Sequence, residues 1–495
     1  MAQHQLSKST YIRGTQCIKS LYLNKYCKDL KNNAGEYDGA VFEQGIDVGV
    51  LGKQLFPKGV DASPELLFDY ATALAKTQLY IQQKQAIIYE AHFMYNDVLC
   101  AVDILVYDGK KYKAIEIKSA TSLSDIYIQD AALQYYVLSN SGVPLADIAI
   151  GYINNKYVRK GKLNIKKLFT IEGVLVQAKE VQTEVVNNII QFKKTLNTKK
   201  EPVQDIGVHC SSPYGCDFYD HCWQHIPSHS VFDIAGMRSN KKFELYNQGI
   251  ITFSQITDAI SAQYLSEKQA LQVTAQLKKR KYIDKLNIQA FINDLQFPLY
   301  FLDFETINTP VPLFENARPY QQIVFQYSLH CLKTTTSTAK HTEYLAVANG
   351  TDPRPNFITQ LIKECGTKGD ILTYNMAFEK TRLKELCIDF PEYTEPLQSI
   401  IDRMKDLMLP FAQRWYYTPK MQGSYSIKYV LPALVPKLSY TNLTIQNGSD
   451  AMNIYAAMAS GTFTGNVAQT RKALLAYCCM DTFAMVKIWE VLREV

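Results

Sequence analysis

Asp303 and Glu305 stand two residues apart in an otherwise apolar run, Pro298-Leu299-Tyr300-Phe301-Leu302-Asp303-Phe304-Glu305. Such a run predicts a strand, and alternation along it turns both carboxylates to one face. Two acids on one face of an apolar strand are costly without a partner. A divalent cation fits, because hard oxygen ligands suit Mg²⁺ and Mn²⁺. Two later segments add acids. Glu379 ends Asn375-Met376-Ala377-Phe378-Glu379, which follows the β-like Ile371-Leu372-Thr373-Tyr374. Asp481 ends Tyr477-Cys478-Cys479-Met480-Asp481 on a long predicted helix, Arg471 to Arg493. Tyr477 and Asp481 are four apart and point the same way. Cys478 and Cys479 read as small apolar helix residues. Asp406 is a reserve ligand.

A second set lies nearer the start. Asp103 sits on a predicted strand, and Glu116-Ile117-Lys118 on the next. Glu116 and Lys118 share a face, and a hairpin brings Asp103 near them. Eleven cysteines without a secretion signal argue against a disulfide framework. Cys210, Cys216 and Cys222 form Cys-x5-Cys-x5-Cys, with Cys17 far upstream. Four thiolates can ligate a [4Fe–4S] cluster. Zinc is the rival: it favours closer cysteine pairs, which are missing here, although His209 and His221 are near enough to take part.

The elements that must position these residues form three blocks: 1–223, a short helical spacer 224–296, and 297–495. A chain of 495 residues suggests roughly two to four domains. In the first block Pro64 to Gln85 has helical character. Ile87 to Tyr95, Val98 to Tyr107 and Lys111 to Lys118 read as an antiparallel meander, with turns at Asn96-Asp97 and Asp108-Gly109. A helix over Asp125 to Ser139 and a strand over Ile148 to Asn154 follow. In the spacer, Ser266 and Gln269 make a capping box, and Ala270, Val273 and Leu277 share a helix face. In the last block Gly423-Ser424-Tyr425-Ser426-Ile427-Lys428 precedes a helix-like Tyr429 to Leu434.

Hydrophobic content of 47% and charged content of 20% are ordinary for a globular protein. The apolar runs fall short of the ~20 residues a membrane helix needs. The polar Met1 to Gln16 segment predicts no signal peptide, so no membrane is expected and the expected location is cytoplasmic. The net charge of +6 is compatible with a phosphate-backbone ligand. Basic stretches at Lys156 to Lys167, Lys193 to Lys200 and Lys278-Lys279-Arg280-Lys281 suggest surface or a nucleic-acid track.

The three C-terminal motifs resemble those of the DEDD exonuclease superfamily: Asp-x-Glu, then Asn-x-x-Phe/Tyr-Asp, then Tyr-x-x-x-Asp. The resemblance implies an RNase H-like domain with 3′→5′ exonuclease activity, of the Tyr subclass. It assigns Asp303, Glu305 and Asp481 to metal binding and Tyr477 to orienting or deprotonating the attacking water. Glu379 stands where the family has Asp, one methylene further out. The implied chemistry is two-metal phosphodiester cleavage, with ions about 3.5–4 Å apart. A tyrosine with an ordinary pKa near ~10 needs metal charge to act as a base. Lys428 is placed to touch a phosphate or the surface.

The first block resembles the iron–sulfur RecB-type nucleases, including the AddB-type and CRISPR-associated enzymes. That implies a PD-(D/E)XK restriction-endonuclease-like fold with Asp103, Glu116 and Lys118 at its centre. Gln134 matches the RecB-type glutamine and Glu90 a commonly acidic position. Cys17, Cys210, Cys216 and Cys222 would hold a structural [4Fe–4S] cluster. Two features depart from the pattern. No histidine lies between Gly45 and Phe56, where Glu43 or Glu90 would have to compensate, and Leu138 replaces the usual tyrosine. The whole chain resembles a bacterial family that fuses these two α/β domains, which implies DNA processing in repair or in defence against foreign DNA. RNA as substrate, and a first domain that only binds nucleic acid, stay open as alternatives.

Overall fold

The computed structural model describes residues 4–32, 48–66 and 68–495. The chain is mixed α/β and divides into two compact units. One comprises Met1–His225 with Pro310–Tyr320, and the other Ile226–Thr309 with Gln321–Val495. The helical spacer expected at 224–296 therefore groups with the C-terminal residues. Pro310–Tyr320, from within the expected third block, groups with the first unit.

The first unit is built on β1 (Leu6–Ser7), β2 (Val60–Asp61), β3 (Ile87–Tyr95), β4 (Val98–Tyr107), β5 (Tyr112–Lys118), β6 (Leu145–Ile153) and β7 (Phe169–Gly173). These strands run β2-β3-β4-β5-β6-β7, with β1 beside β4. The β3-β4-β5 meander is antiparallel, and β6 then joins β5 in parallel. That crossover uses the Asp125–Asn140 helix, whose Ala131, Leu133 and Val137 are buried. Pro310–Tyr320 is tied in by Arg159, whose Nη1 donates to the carbonyls of Pro312 and Leu313 at 3.0 and 2.7 Å.

The alternation of side chains slips within the β3–β4 pair. Val102 and Leu105 face one core while Ile104 faces the other, and in β3 Ile88 and Ala91 share a core across three positions. The slip falls at Asp103 and at Glu90, whose φ is +50°. It lies between the pairs Tyr89 with Ile104 and Ala91 with Val102. The register is the same on either side, so one residue of each strand leaves the ladder, and both are acids.

The second unit carries β8 (Tyr282–Ile283), β9 (Leu299–Ile307), β10 (Ile323–Leu332), β11 (Lys340–Leu345), β12 (Ile371–Thr373), β13 (Met404–Asp406) and β14 (Tyr416–Tyr417). Its main sheet runs β11-β10-β9-β12-β13. Strands β9, β10 and β11 are antiparallel neighbours, and β12 and β13 continue the sheet in parallel with β9. Helices Arg354–Cys365 and Thr394–Asp402 bury Phe357, Leu361, Leu397 and Ile401 in the core that holds Leu302 and Tyr327. The Val467–Arg493 helix packs on the other face, with Trp489 edge-on to Phe301. No described helix is long and apolar enough to cross a membrane.

The Ser266 cap forms as the local pattern predicts, with Gln269 returning a bond to the Ser266 amide. The buried face of that helix differs from expectation. Gln272, Val273 and Ala275 are buried, whereas Leu277 is exposed. Gln272 is drawn inward because its side chain bonds the Ala235 amide and the Asp233 carbonyl at 3.0 and 2.8 Å.

Candidate functional site

The central strand β9 presents Asp303 and Glu305. The chain leaves β12 through Asn375, at φ +76°, and enters the Ala377–Asp389 helix with Glu379 in its first turn. The Val467–Arg493 helix delivers Tyr477 and Asp481 from one face. These five side chains line one cleft of about 560 Å³, with Lys428, Asn447 and Gly448 on its walls. Glu305, Glu379, Asp481 and Tyr477 are buried and Asp303 is half-buried.

The electrostatics of this cleft are strained. Burial, then the charges of Asp481, Glu305 and Glu379, push the Asp303 carboxyl well above the carboxylate range. Glu305 moves the same way, through burial and Asp481. Burial pushes Glu379 up to about 8 and Asp481 up to about 6, the latter restrained by the Tyr440 hydroxyl and Lys428. The cations near these acids are already engaged. Lys428 Nζ donates to the Gln446 carbonyl at 2.9 Å, and Arg382 pairs with Glu385. The Glu379 Oε2 atom is buried with no hydrogen-bond partner among the described residues. An orphaned buried carboxylate oxygen within four crowded acids is the donor set a hard divalent cation completes.

Asp406, the reserve ligand, does other work. Its carboxylate accepts the amides of Asn375, Met376 and Met408 at 3.1, 3.2 and 2.9 Å, and so fixes the turn that introduces Glu379. Cys478 and Cys479 are not merely apolar filling. Cys478 Sγ lies 3.7 Å from Asp303 Oδ2, and Cys479 Sγ lies 3.9 Å from His341 Nδ1. No sequence motif marks Tyr440. Its hydroxyl donates to Asp481 Oδ1 at 2.6 Å.

In the first unit the β4–β5 pairing of Ile104 with Ile115, continued by one residue, sets Asp103 beside Glu116. Asp103 Oδ2 accepts the Ile117 amide at 2.7 Å. Burial and the Glu116 charge push the Asp103 carboxyl up to about 7. Glu116 itself is surrounded by donors. Lys8 Nζ lies 2.8 and 2.7 Å from its two oxygens, Lys118 Nζ 2.9 Å from Oε1, and Gln134 Nε2 3.0 Å from Oε2. Lys118 also pairs with Asp130 at 2.7 Å. Burial alone would raise the Asp130 carboxyl, but Lys118 and Lys8 outweigh it and hold it at about 2. Glu90 is bound to Lys53 at 2.9 Å. Neither Lys8 nor Asp130 belongs to the short motif around Glu116. Asp130 was legible as the residue four before Gln134 on a helix, while nothing local flags Lys8. Glu43 lies outside the described residues.

Cys17, Cys210, Cys216 and Cys222 gather beside this centre. A cavity of about 440 Å³ is lined by Cys17 and Cys216 as well as Lys8, Glu116 and Lys118. Each of the thiols of Cys17 and Cys222 is raised by burial first and then by its fellow cysteines, so the four share one field. Cys17 Sγ accepts the Ser20 amide at 3.3 Å. Gln16 Nε2 donates to the carbonyls of His209 and Tyr214, which ties the two ends of the set together. His209 faces Gln204 at 3.3 Å. Four soft sulfur donors that share one field are a candidate ligand set for a thiolate-bound metal.

Comparison with known proteins adds relatives but no described activity. A family model described as "Domain of unknown function (DUF2779)" matches residues 300–426. That segment runs from β9 past Glu379 to Ser426. The chain is 28% identical over 211 residues to "Uncharacterized protein MG366 homolog" of Mycoplasma pneumoniae, covering 39% of this chain and 32% of the relative. It is 25% identical over 213 residues to "Uncharacterized protein MG366" of Mycoplasma genitalium, covering 40% and 32%. It is 28% identical over 169 residues to "Uncharacterized protein UU173" of Ureaplasma parvum, covering 30% and 24%. The chain therefore spans less than a third of the length of each of these relatives, to which it is similar.

Proposed function

We propose that this protein is a metal-dependent nuclease that hydrolyses DNA phosphodiester bonds. Its second unit is read as an RNase H-like 3′→5′ exonuclease of the DEDD type, and its first as a PD-(D/E)XK, RecB-type domain with a [4Fe–4S] cluster. A place in DNA repair or in defence against foreign DNA follows from that reading.

One observation carries it. Asp303, Glu305, Glu379 and Asp481 converge on one cleft with Tyr477, and burial drives all four acids above their ordinary range. These acids would hold Mg²⁺ or Mn²⁺, which when bound acidifies water and neutralises phosphate charge. Burial and Asp481 hold the Tyr477 phenol above its ordinary value. It therefore stays protonated in the free protein and orients water as a hydrogen-bonding group. Lys428 and the N-terminus of the Gly448–Ser460 helix border the cleft and favour an anionic ligand there. In the first unit the four cysteines tie the Cys17 segment to residues 210–222, which makes the cluster's role structural.

A second reading concerns the first unit alone: a nucleic-acid-binding module without hydrolysis. It is favoured by the two lysines that already balance Glu116 and Asp130, where a metal would otherwise be needed.

End-labelled single- and double-stranded DNA, with matched RNA, tests both readings in wild type, Asp303→Ala and Lys118→Ala. The expected result is Mg²⁺- or Mn²⁺-dependent shortening from the 3′ end that Asp303→Ala abolishes. Shortening that survives excess chelator, or that persists in Asp303→Ala, overturns the mechanism. A preference for RNA would change the substrate. Full activity in Lys118→Ala selects the binding-only first unit.

A further inference from the structure

The face of β10 and β11 beneath the Val467–Arg493 helix holds a separate group of ligating side chains. His330 pairs directly with His341 across the two strands. Their ring centroids lie 4.5 Å apart, tilted by 31°. The helix is fastened over this face by Gln326, which donates to the Leu474 carbonyl at 2.8 Å. Cys479, on that helix, brings Sγ to 3.9 Å from His341 Nδ1. One ligand atom each from His330, His341 and Cys479 lies within 4.8 Å of the others. Glu343, two residues beyond His341 and so on the same face, places Oε2 3.9 Å from His341 Nε2.

We propose that His330, His341 and Cys479 form a three-ligand zinc site distinct from the carboxylate cleft and from the four-cysteine set. Two imidazoles and a thiolate make the mixed nitrogen and sulfur set that borderline-soft zinc accepts and Mg²⁺ does not. The surroundings resemble the outer shell of such a site. The Thr482 hydroxyl lies 2.8 Å from His330 Nδ1, and the Ser328 hydroxyl lies 2.9 Å from His341 Nε2. Contacts of this kind orient the rings and leave the second nitrogen to the ion. The two hydroxyls also meet each other at 2.7 Å, which joins helix to sheet. His330 is buried, while His341 and Glu343 are part-exposed, so an ion enters from their side. Zinc bonds of roughly 2.0–2.3 Å require side-chain shifts on the order of 1 Å. Binding releases the Cys479 thiol proton to solvent. The ion would then pin β10 and β11 to the helix that carries Tyr477 and Asp481.

The test is zinc binding by the full chain. Zinc chloride is titrated into wild type, Cys479→Ser, His341→Ala and Asp303→Asn, with thermal melts at each ratio. The expected result is one zinc per chain that raises the wild-type melting temperature. It should bind at least tenfold more weakly in Cys479→Ser and His341→Ala, and unchanged in Asp303→Asn. X-ray absorption at the zinc edge of the loaded wild type should show nitrogen and a single sulfur, and it needs no variant to fold. A sulfur-only or oxygen-only shell, or equal zinc affinity in wild type and both site variants, overturns the proposal and leaves a hydrogen-bonded histidine pair.

Discussion

The Tyr440 hydroxyl donates a 2.6 Å hydrogen bond to Asp481 Oδ1 across 41 positions of sequence. That length is typical of an O–H donor on a carboxylate. The bond restrains the rise of the Asp481 carboxyl, and so keeps it available as an anionic ligand near neutral pH.

Tyr440→Phe removes that restraint. Asp481 should then titrate higher, and the acidic limb of the pH–rate profile should move upward. At neutral pH the rate should fall about tenfold, equivalent to about 1.4 kcal/mol. Tyr477→Phe should instead lower kcat by roughly 10²–10⁴-fold with DNA binding intact. Rate profiles and binding isotherms of both variants check this. An unmoved limb in Tyr440→Phe removes Tyr440 from the site, and an unchanged kcat in Tyr477→Phe removes Tyr477.

Metal-free protein should lose stability as pH rises. Asp481 and Glu379 are raised to about 6 and about 8 in the fold, and Asp103 to about 7 in the first unit. Unfolded carboxyls titrate near ~4. The folded state therefore binds more protons between these limits, and stability falls from about pH 4 to about pH 8. Mn²⁺ should recover most at the alkaline end, where the ligands are deprotonated. Thermal melts in chelator that stay flat across this range would contradict the crowding of the acids.

Lys8→Ala should destabilise the first unit by about 3 kcal/mol, because it removes one of the two lysines that balance the buried Glu116 carboxylate. The side chains of Lys8 and Glu116 are 21% and 6% exposed, so solvent does little to replace the pair. In an Asp303→Asn background, Lys8→Ala should also acquire Mn²⁺-dependent stabilisation that the Lys8-bearing protein lacks. Denaturant melts with and without Mn²⁺ decide. Equal Mn²⁺ response in both proteins would show that Lys8 does not stand in for a metal.

Anaerobically purified protein should be brown and hold about four irons per chain. Cys210→Ala should lose the iron and lower the melting temperature of the first unit, because its link to the Cys17 segment goes. Metal analysis and visible absorption measure this. Zinc without iron in that set sinks the cluster.

Local pattern determined much of this protein. An apolar run with period two placed Asp303 and Glu305 on one strand face, and a spacing of four placed Tyr477 with Asp481. The turn pairs marked the meander that brings Asp103 beside Glu116. The Ser266 cap was readable because its bonds span three residues. These features depend on neighbours in the chain, whose geometry backbone periodicity sets.

What stayed hidden depends on which distant segments meet. Lys8 reaches Glu116 across 108 positions, and Tyr440 reaches Asp481 across 41. Asp406 became a turn-fixing acid because parallel pairing of β12 and β13 sets it beside the amides of Asn375 and Met376. Cys479 looked apolar until the β10–β11 register brought His341 to it. Strand register and helix docking decide such contacts, and both follow from the burial of whole faces and not from any short motif.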